Sequence, residues 1–155
     1  MQLILDFLVR RFPLALASGF GVGYAPVAPG TWGSLLGVGL MYLTFDWSLP
    51  AKLMMLLALL LVSWWACEIG GRYWGHDHKR IVIDEVAGQY LTLLAATTVL
   101  GLWVGFLAFR VFDIWKPFPA NWLDRQKGGL FTLADDLAAG IYALVFLYLA
   151  VFFLF

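Results

Sequence analysis

Charge is scarce in this chain. Of its 155 residues, ten are basic and ten acidic, 13% in all, where soluble domains carry about 25% charged residues. The balance is zero and no basic arm is present, which excludes a nucleic-acid binder, since those concentrate positive charge. Cys67 is the single cysteine, so an internal disulfide and a cysteine-based zinc site are both excluded. It reads as a small apolar helix residue. Arg72 comes one residue too early for a C-x5-R phosphatase cradle, and no G-x-S-x-G elbow occurs. There are two histidines; His76 and His78 form an H-x-H in a polar loop, without further ligands at metal spacing, and read as surface residues.

What fills the chain instead is apolar. The sequence is 63% hydrophobic and 17% aromatic, with a mean hydropathy of +0.85, the profile of an integral membrane protein. The length suits a single domain, 1–155. In Met1 to Pro13 the basic pair Arg10-Arg11 follows the apolar residues instead of preceding them. A secretory signal has the opposite order, so an amphipathic N-terminal helix at the membrane interface is expected.

From Ser18 to Ser34 five glycines and two prolines predict a structured loop, not a regular helix. Such a loop can cradle phosphate with backbone N–H groups. It lacks a P-loop lysine, and Gly19 and Gly21 are followed by Tyr24 where a dinucleotide fingerprint needs Gly or Ala. Thr31 and Ser34 either donate hydrogen bonds there or cap the first span. Apolar runs from Leu35 to Phe45 and from Leu53 to Cys67, the second ending near Gly70-Gly71, predict two helices joined by a tight turn. The last run is Leu137 to Phe155.

Val86 to Phe109 is long enough for one span. A single span would put the basic loops Arg72 to Arg80 and Arg110 to Lys127 on opposite sides, against the positive-inside bias. A reversal near Thr97 to Gly101 places nine of the ten basic residues on one side, leaving only Lys52 on the other. The expected architecture is therefore all-α: a small polytopic membrane bundle of about five membrane-embedded helices, one pair a short hairpin, plus the interfacial N-terminal helix.

Six of the ten acidic residues fall between Asp84 and Asp136, beside apolar segments: Asp84-Glu85, Asp113, Asp124 and Asp135-Asp136. Carboxylates next to hydrocarbon are costly unless paired, solvated or bound to a cation. For Asp84-Glu85 a helix dipole is the alternative explanation, and for one of Asp135 and Asp136 helix capping after Thr132. Arg110, Asp113 and Lys116 repeat every three residues along one helical face, either as an ion-pair ladder or with Asp113 on a metal and the two cations on phosphate oxygens. Asp124 and Arg125 fit a solvated connection as well as a site. Acids for a divalent cation interleaved with bases for an anion point to phosphate chemistry.

Four segments then align with a known family. PVAPGTWGS at 26–34, IVIDEVAGQ at 81–89, FRVFDIWKPFP at 109–119 and the Gly128-Gly129 pair followed by LADDLAAGIYA at 133–143 resemble the phosphatidylglycerophosphatase A family in order and over most of the chain. The resemblance implies a Mg2+-dependent enzyme of the bacterial cytoplasmic (inner) membrane. Its site would face the cytoplasm and remove the terminal phosphate of phosphatidylglycerophosphate to give phosphatidylglycerol. It implies Asp84, Glu85, Asp113, Asp135 and Asp136 as metal ligands, with Asp84, Glu85 and Asp113 catalytic. Arg110 and Lys116 carry over as phosphate contacts, and Thr31 and Arg125 are added as candidates. Water is the preferred nucleophile, with an aspartyl phosphate through Asp84 or Asp113 the alternative. A small transporter, or a non-catalytic membrane partner, is the competing class. A transporter predicts acids deep inside spans, whereas here they sit at segment ends. Oligomeric state is left open.

Overall fold

The computed structural model describes residues 11–76 and 78–154, and every regular element among them is helical. The helices are α1 (Phe12–Ala17), α2 (Pro29–Leu43), α3 (Leu49–Trp74), α4 (Ile83–Thr92), α5 (Val99–Trp115), α6 (Ala120–Leu123) and α7 (Gly129–Leu154), with 3-10 turns at Val22–Tyr24 and Leu93–Ala95. The expected N-terminal interfacial helix falls largely on residues 1–10, outside the described residues. Two helices, α3 and α7, are long and apolar enough to cross a membrane. By contrast, α2, α4 and α5 have 15, 10 and 17 residues, short of the roughly 20 that a span needs. Among the described residues two helices thus have the length and apolar character that a span needs, and the shorter helices pack around them.

The chain breaks between Ala96 and Thr98, in the expected region. Thr98 caps α5 by accepting a hydrogen bond from the Gly101 N–H at 3.1 Å. The helix α5 then returns toward the level where α4 began, ending at Lys116, whose backbone is left-handed (φ 46°). This hairpin returns Arg110 and Asp113 to the neighbourhood of Asp84 and Glu85.

Two boundaries differ from expectation. The Gly/Pro segment is not loop throughout, because α2 begins at Pro29. Proline suits a first helical turn, where its missing N–H costs nothing. Gly33 and Gly37 face α4, where a Cβ would meet Val82 and Gln89 at 2.8 Å, so these glycines serve close packing. Similarly, α3 does not stop at Gly70-Gly71 but continues to Trp74, because Gly70 packs on Ile81 and Ala17.

The short helix α4 is the hub. Eight of its ten residues are buried, and it packs against α2, α3, α5 and α7. Ser63 Oγ of α3 donates to the Ile83 carbonyl at 3.1 Å, and the Val82 N–H donates to the Ala17 carbonyl at 2.8 Å, fixing the start of α4. Toward its end, Tyr90 and Leu93 join Met41, Leu56, Leu102 and Leu147 in the main apolar core. Against α7 the approach is closest at Gly88 and Gly140. A Cβ on Gly140 would lie 2.6 Å from the Gly88 carbonyl oxygen, and Thr92 Oγ1 donates to both the Gly88 and Gly140 carbonyls. Asp84 lies one turn before Gly88, and Asp136 one turn before Gly140, so this contact sets the two carboxylates at one level.

The start of α7 also differs from expectation. The helix opens at Gly129, so Asp135 and Asp136 lie about two turns inside and neither caps it. Instead Glu68 of α3 does so from outside: its Oε2 accepts from the Gly129 N–H at 2.9 Å, while Arg72 holds Oε1. A carboxylate at a helix N-terminus satisfies an orphan donor and opposes the dipole. Glu68→Ala is expected to lower stability by about 1 kcal/mol, and Glu68→Gln by less. Thermal unfolding in detergent measures this; equal midpoints for Glu68→Ala and the parent would remove the capping role.

Candidate metal and phosphate site

Asp84 and Glu85 occupy the first turn of α4, and Asp136 reaches them from α7. One carboxylate oxygen from each of the three lies within 4.8 Å of the others. Asp84, Asp135 and Asp136 are each no more than 5% exposed. Of the close group, Asp84 and Asp136 are buried and Glu85 partly so, and like charges withdrawn from water at this spacing repel one another unless a proton or a cation joins them. Glu85 Oε2 is buried and, among the described residues, finds no hydrogen-bond donor. A hard, all-oxygen donor set with such an orphaned acceptor fits a divalent cation of the Mg2+ or Ca2+ kind. Gly30 of α2 makes room for this arrangement, since a Cβ there would overlap Glu85 Oε1.

These carboxylates line a cavity of about 260 Å3 together with Asp113, Lys116 and Asp135. Both further acids are held by cations. Arg110 Nη1 donates to Asp113 Oδ2 at 2.5 Å and to Ser34 Oγ at 3.3 Å, and Ser34 Oγ donates to the Gly30 carbonyl. Lys116 Nζ donates to Asp135 Oδ2 at 2.7 Å and also to Asp124 Oδ1. Burial pulls the Lys116 pKa down, but the hydrogen bonds and charges of Asp124 and Asp135 more than offset it. The net shift is upward, and the ammonium stays charged across the physiological range. An ammonium has three donors, and these two acceptors take two of them.

Of the five acids expected to bind metal, the structure therefore gathers Asp84, Glu85 and Asp136 in one close group and sets Asp113 and Asp135 on the same cavity wall, each against a cation. Lys116 lines the cavity. Arg110 faces Asp113 and Ser34 and does not line it. Arg125 is exposed, Thr31 is half-buried on α2, and neither lines it.

Three further residues line the wall: His78, which reads from the sequence as a surface residue, and Lys79 and Thr132, to which the sequence alone assigns no role in the site. The loop carrying the first two leads directly into α4. His78 Nδ1 accepts from the Arg80 N–H at 3.2 Å, which assigns the proton of the neutral imidazole to Nε2. An H-x-H six residues before an acidic pair was the available signal. What it could not show was that His78 and Lys79 share a cavity wall with the acids.

A family model described as phosphatidylglycerophosphatase A matches residues 15–151. The phosphatidylglycerophosphatase A of Escherichia coli (strain K12) is 41% identical over 140 residues, covering 86% of this chain and 80% of that protein. Its namesake in Haemophilus influenzae is 38% identical over 138 residues, 84% of this chain and 83% of that protein. A Bacteroides thetaiotaomicron protein with the provisional name phosphatidylinositol-3-phosphatase is 34% identical over 148 residues, 89% of this chain and 92% of its own. No solved structure matches the chain. With the model spanning most of its length and relatives well above 30% identity, the chain belongs to the phosphatidylglycerophosphatase A family.

Proposed function

We propose that this chain, as one domain, is a phosphatase that hydrolyses the terminal phosphate monoester of phosphatidylglycerophosphate to phosphatidylglycerol at the cytoplasmic face of a bacterial inner membrane. The observation that carries the reading is the convergence of Asp84, Glu85 and Asp136 within 4.8 Å beside Lys116. Those three carboxylates would hold Mg2+. The chemistry such an ion would supply is polarisation of the phosphoryl oxygens and an offset to their charge.

The remaining work falls to the protein's own groups. Lys116 presents a permanent positive charge to the phosphate, using the N–H that its two carboxylates leave over. Asp113, fixed by Arg110, accepts a hydrogen bond from the attacking water and orients it for in-line attack. Little proton removal is needed before the P–O bond lengthens, because phosphoryl transfer passes through a loose transition state in which positioning and charge dominate. Arg110 and Ser34 keep Asp113 in one rotamer, which supports the alignment.

The membrane placement rests on charge and apolar exposure. Arg72, Lys79, Arg80, Lys116, Arg125 and Lys127 lie at the cavity end, and Lys52 begins α3 at the other. That asymmetry fits a cytoplasmic site. Leu53, Met54, Leu57 and Leu61 on α3 and Phe146, Leu149 and Phe152 on α7 are exposed, as lipid-facing residues are.

The test is phosphate release by the purified protein in mixed micelles. Release from phosphatidylglycerophosphate with Mg2+, abolished by chelator and restored by added Mg2+, is expected. Phosphatidylinositol 3-phosphate in the same assay measures the alternative headgroup suggested by the Bacteroides relative's name. No release from any lipid phosphomonoester, with protein folded and Mg2+ present, would end the reading.

A further inference from the structure

We propose that the seam between α5 and α7 is an acyl-chain site, holding one fatty chain of the same lipid whose phosphate occupies the acidic cavity. This rests on the phosphatase reading above and extends it to what the enzyme recognises in the hydrocarbon.

A groove of about 340 Å3 runs along this seam, lined by Val104, Leu107, Ala108, Val111, Phe112 and Phe146. Every one of those side chains is apolar. The groove is continuous in register with the cavity. Val104, Ala108 and Phe112 form a row spaced by four along α5, and Lys116, the next position of that row, lines the acidic cavity. On α7, Asp135, Tyr142 and Phe146 fall on one face, since eleven residues make about three turns. The two rows meet at both levels. Lys116 bonds Asp135 at 2.7 Å at the cavity, and Phe112 stacks on Tyr142 with centroids 5.6 Å apart one turn below. Tyr142 is itself tethered by donating to the Phe118 carbonyl at 2.7 Å.

Twelve residues from Lys116 to Val104 cover about 18 Å, against about 15 Å for one leaflet of a hydrocarbon core of roughly 30 Å. A lipid with its phosphate beside Lys116 would therefore lay a chain along this groove through the leaflet. A bulk phospholipid would offer Lys116 only a phosphodiester, with less charge than the substrate's terminal monoester, and a second copy of the chain would cover the wall without presenting phosphate to Lys116. The alignment of groove and cation favours the substrate's own chain.

The experiment compares kcat/KM for dipalmitoyl and dihexanoyl phosphatidylglycerophosphate with the full-length protein in micelles. Val111 and Leu107 are exposed, so Val111→Trp and Leu107→Trp fill the groove from its open side without entering the core. Each is expected to lower the long-chain to short-chain ratio of kcat/KM about tenfold, roughly the weight of two buried methylene groups, with the change carried by KM for the long-chain lipid. Leu57→Trp, on the exposed face of α3, should leave the ratio unchanged. An unchanged ratio in both groove variants would overturn the proposal, as would an equal fall in Leu57→Trp, which would mark a general effect of the micelle. A shift in oligomeric state without a change in ratio would assign the groove to a second copy and also overturn it. Failure of the parent protein to hydrolyse either lipid would strike the phosphatase reading itself, a result readily told apart from these.

Discussion

Asp136→Asn is expected to lower turnover on a lipid phosphomonoester by about a thousandfold while the protein remains folded. Asparagine keeps the shape of the side chain, so packing at the Gly88–Gly140 level is undisturbed. What changes is charge and donor type: one of three oxygens within 4.8 Å loses its formal charge, and an NH2 donor can take its place. Mg2+ demands hard oxygen ligands in near-octahedral array, and the electrostatic help of such an ion is worth several kcal/mol. A loss of about 4 kcal/mol is a thousandfold in rate.

Stability should move the other way, or not at all, when no metal is present. Two like charges at this separation repel by about 3 kcal/mol for an effective dielectric of about 20, so removing one relieves the metal-free protein. Ligand binding to the folded state alone raises its stability by mass action. The parent should therefore show a rise in unfolding midpoint on adding Mg2+, and Asp136→Asn should show little or none. Asp113→Asn is the contrast, because it leaves the Arg110 guanidinium without its 2.5 Å carboxylate partner. Breaking a pair so poorly exposed is destabilising, and this variant should unfold earlier with or without metal. Phosphate release and thermal scans with and without Mg2+ in detergent read both effects. Wild-type turnover in Asp136→Asn, or an undiminished Mg2+ shift, would remove that residue from the proposed cation site.

How much of this could be read before the structure depended on what kind of signal each residue gives. An acid in an apolar chain is conspicuous alone, so Asp84, Glu85, Asp113, Asp135 and Asp136 stood out with no knowledge of their neighbours. The helical class followed equally well from uninterrupted apolar runs, and a break near Thr97 from the placement of basic residues. Glycine is different, because it reports only that something comes close, and never what. Thus Pro29 to Ser34 read as loop when it is the first turns of α2, and Gly70-Gly71 read as an end when α3 passes through it. Local pattern was equally silent on partners distant in sequence. Glu68 capping Gly129, and His78 sharing a cavity wall with the acids, are meetings that exist only once α3, α4 and α7 are assembled. Of the roughly five membrane-embedded helices expected, α3 and α7 have the length and apolar character of a full span among the described residues, and the short α4 and α5 form the hairpin pair.

The contact between Gly88 and Gly140 carries the other large expected effect, and it lies outside the chemistry. A Cβ on Gly140 would meet the Gly88 carbonyl oxygen at 2.6 Å, where ordinary contact begins near 3.4 Å. The obstacle is backbone, so no rotamer change relieves it, and α4 and α7 must part by nearly an ångström. That separation stretches the Thr92 hydrogen bond to the Gly140 carbonyl, now 3.2 Å. It also moves Asp136 away from Asp84 and Glu85, each one turn from the contact. Gly140→Val should therefore cost about 1–3 kcal/mol of stability through overpacking. It should also cost about a hundredfold in turnover per folded molecule, the order expected for displacing catalytic groups by about 1 Å. Gly39→Ala is the control: nothing lies within 4 Å of its Cβ position, and alanine in a helix interior should stabilise by up to about 1 kcal/mol. Unfolding midpoints in detergent, with turnover normalised to folded protein, separate the two consequences. Full turnover in folded Gly140→Val would mean that the spacing of α4 and α7 does not set the geometry of the acids, and the proposed cation site would then have to be built on something other than this helix contact.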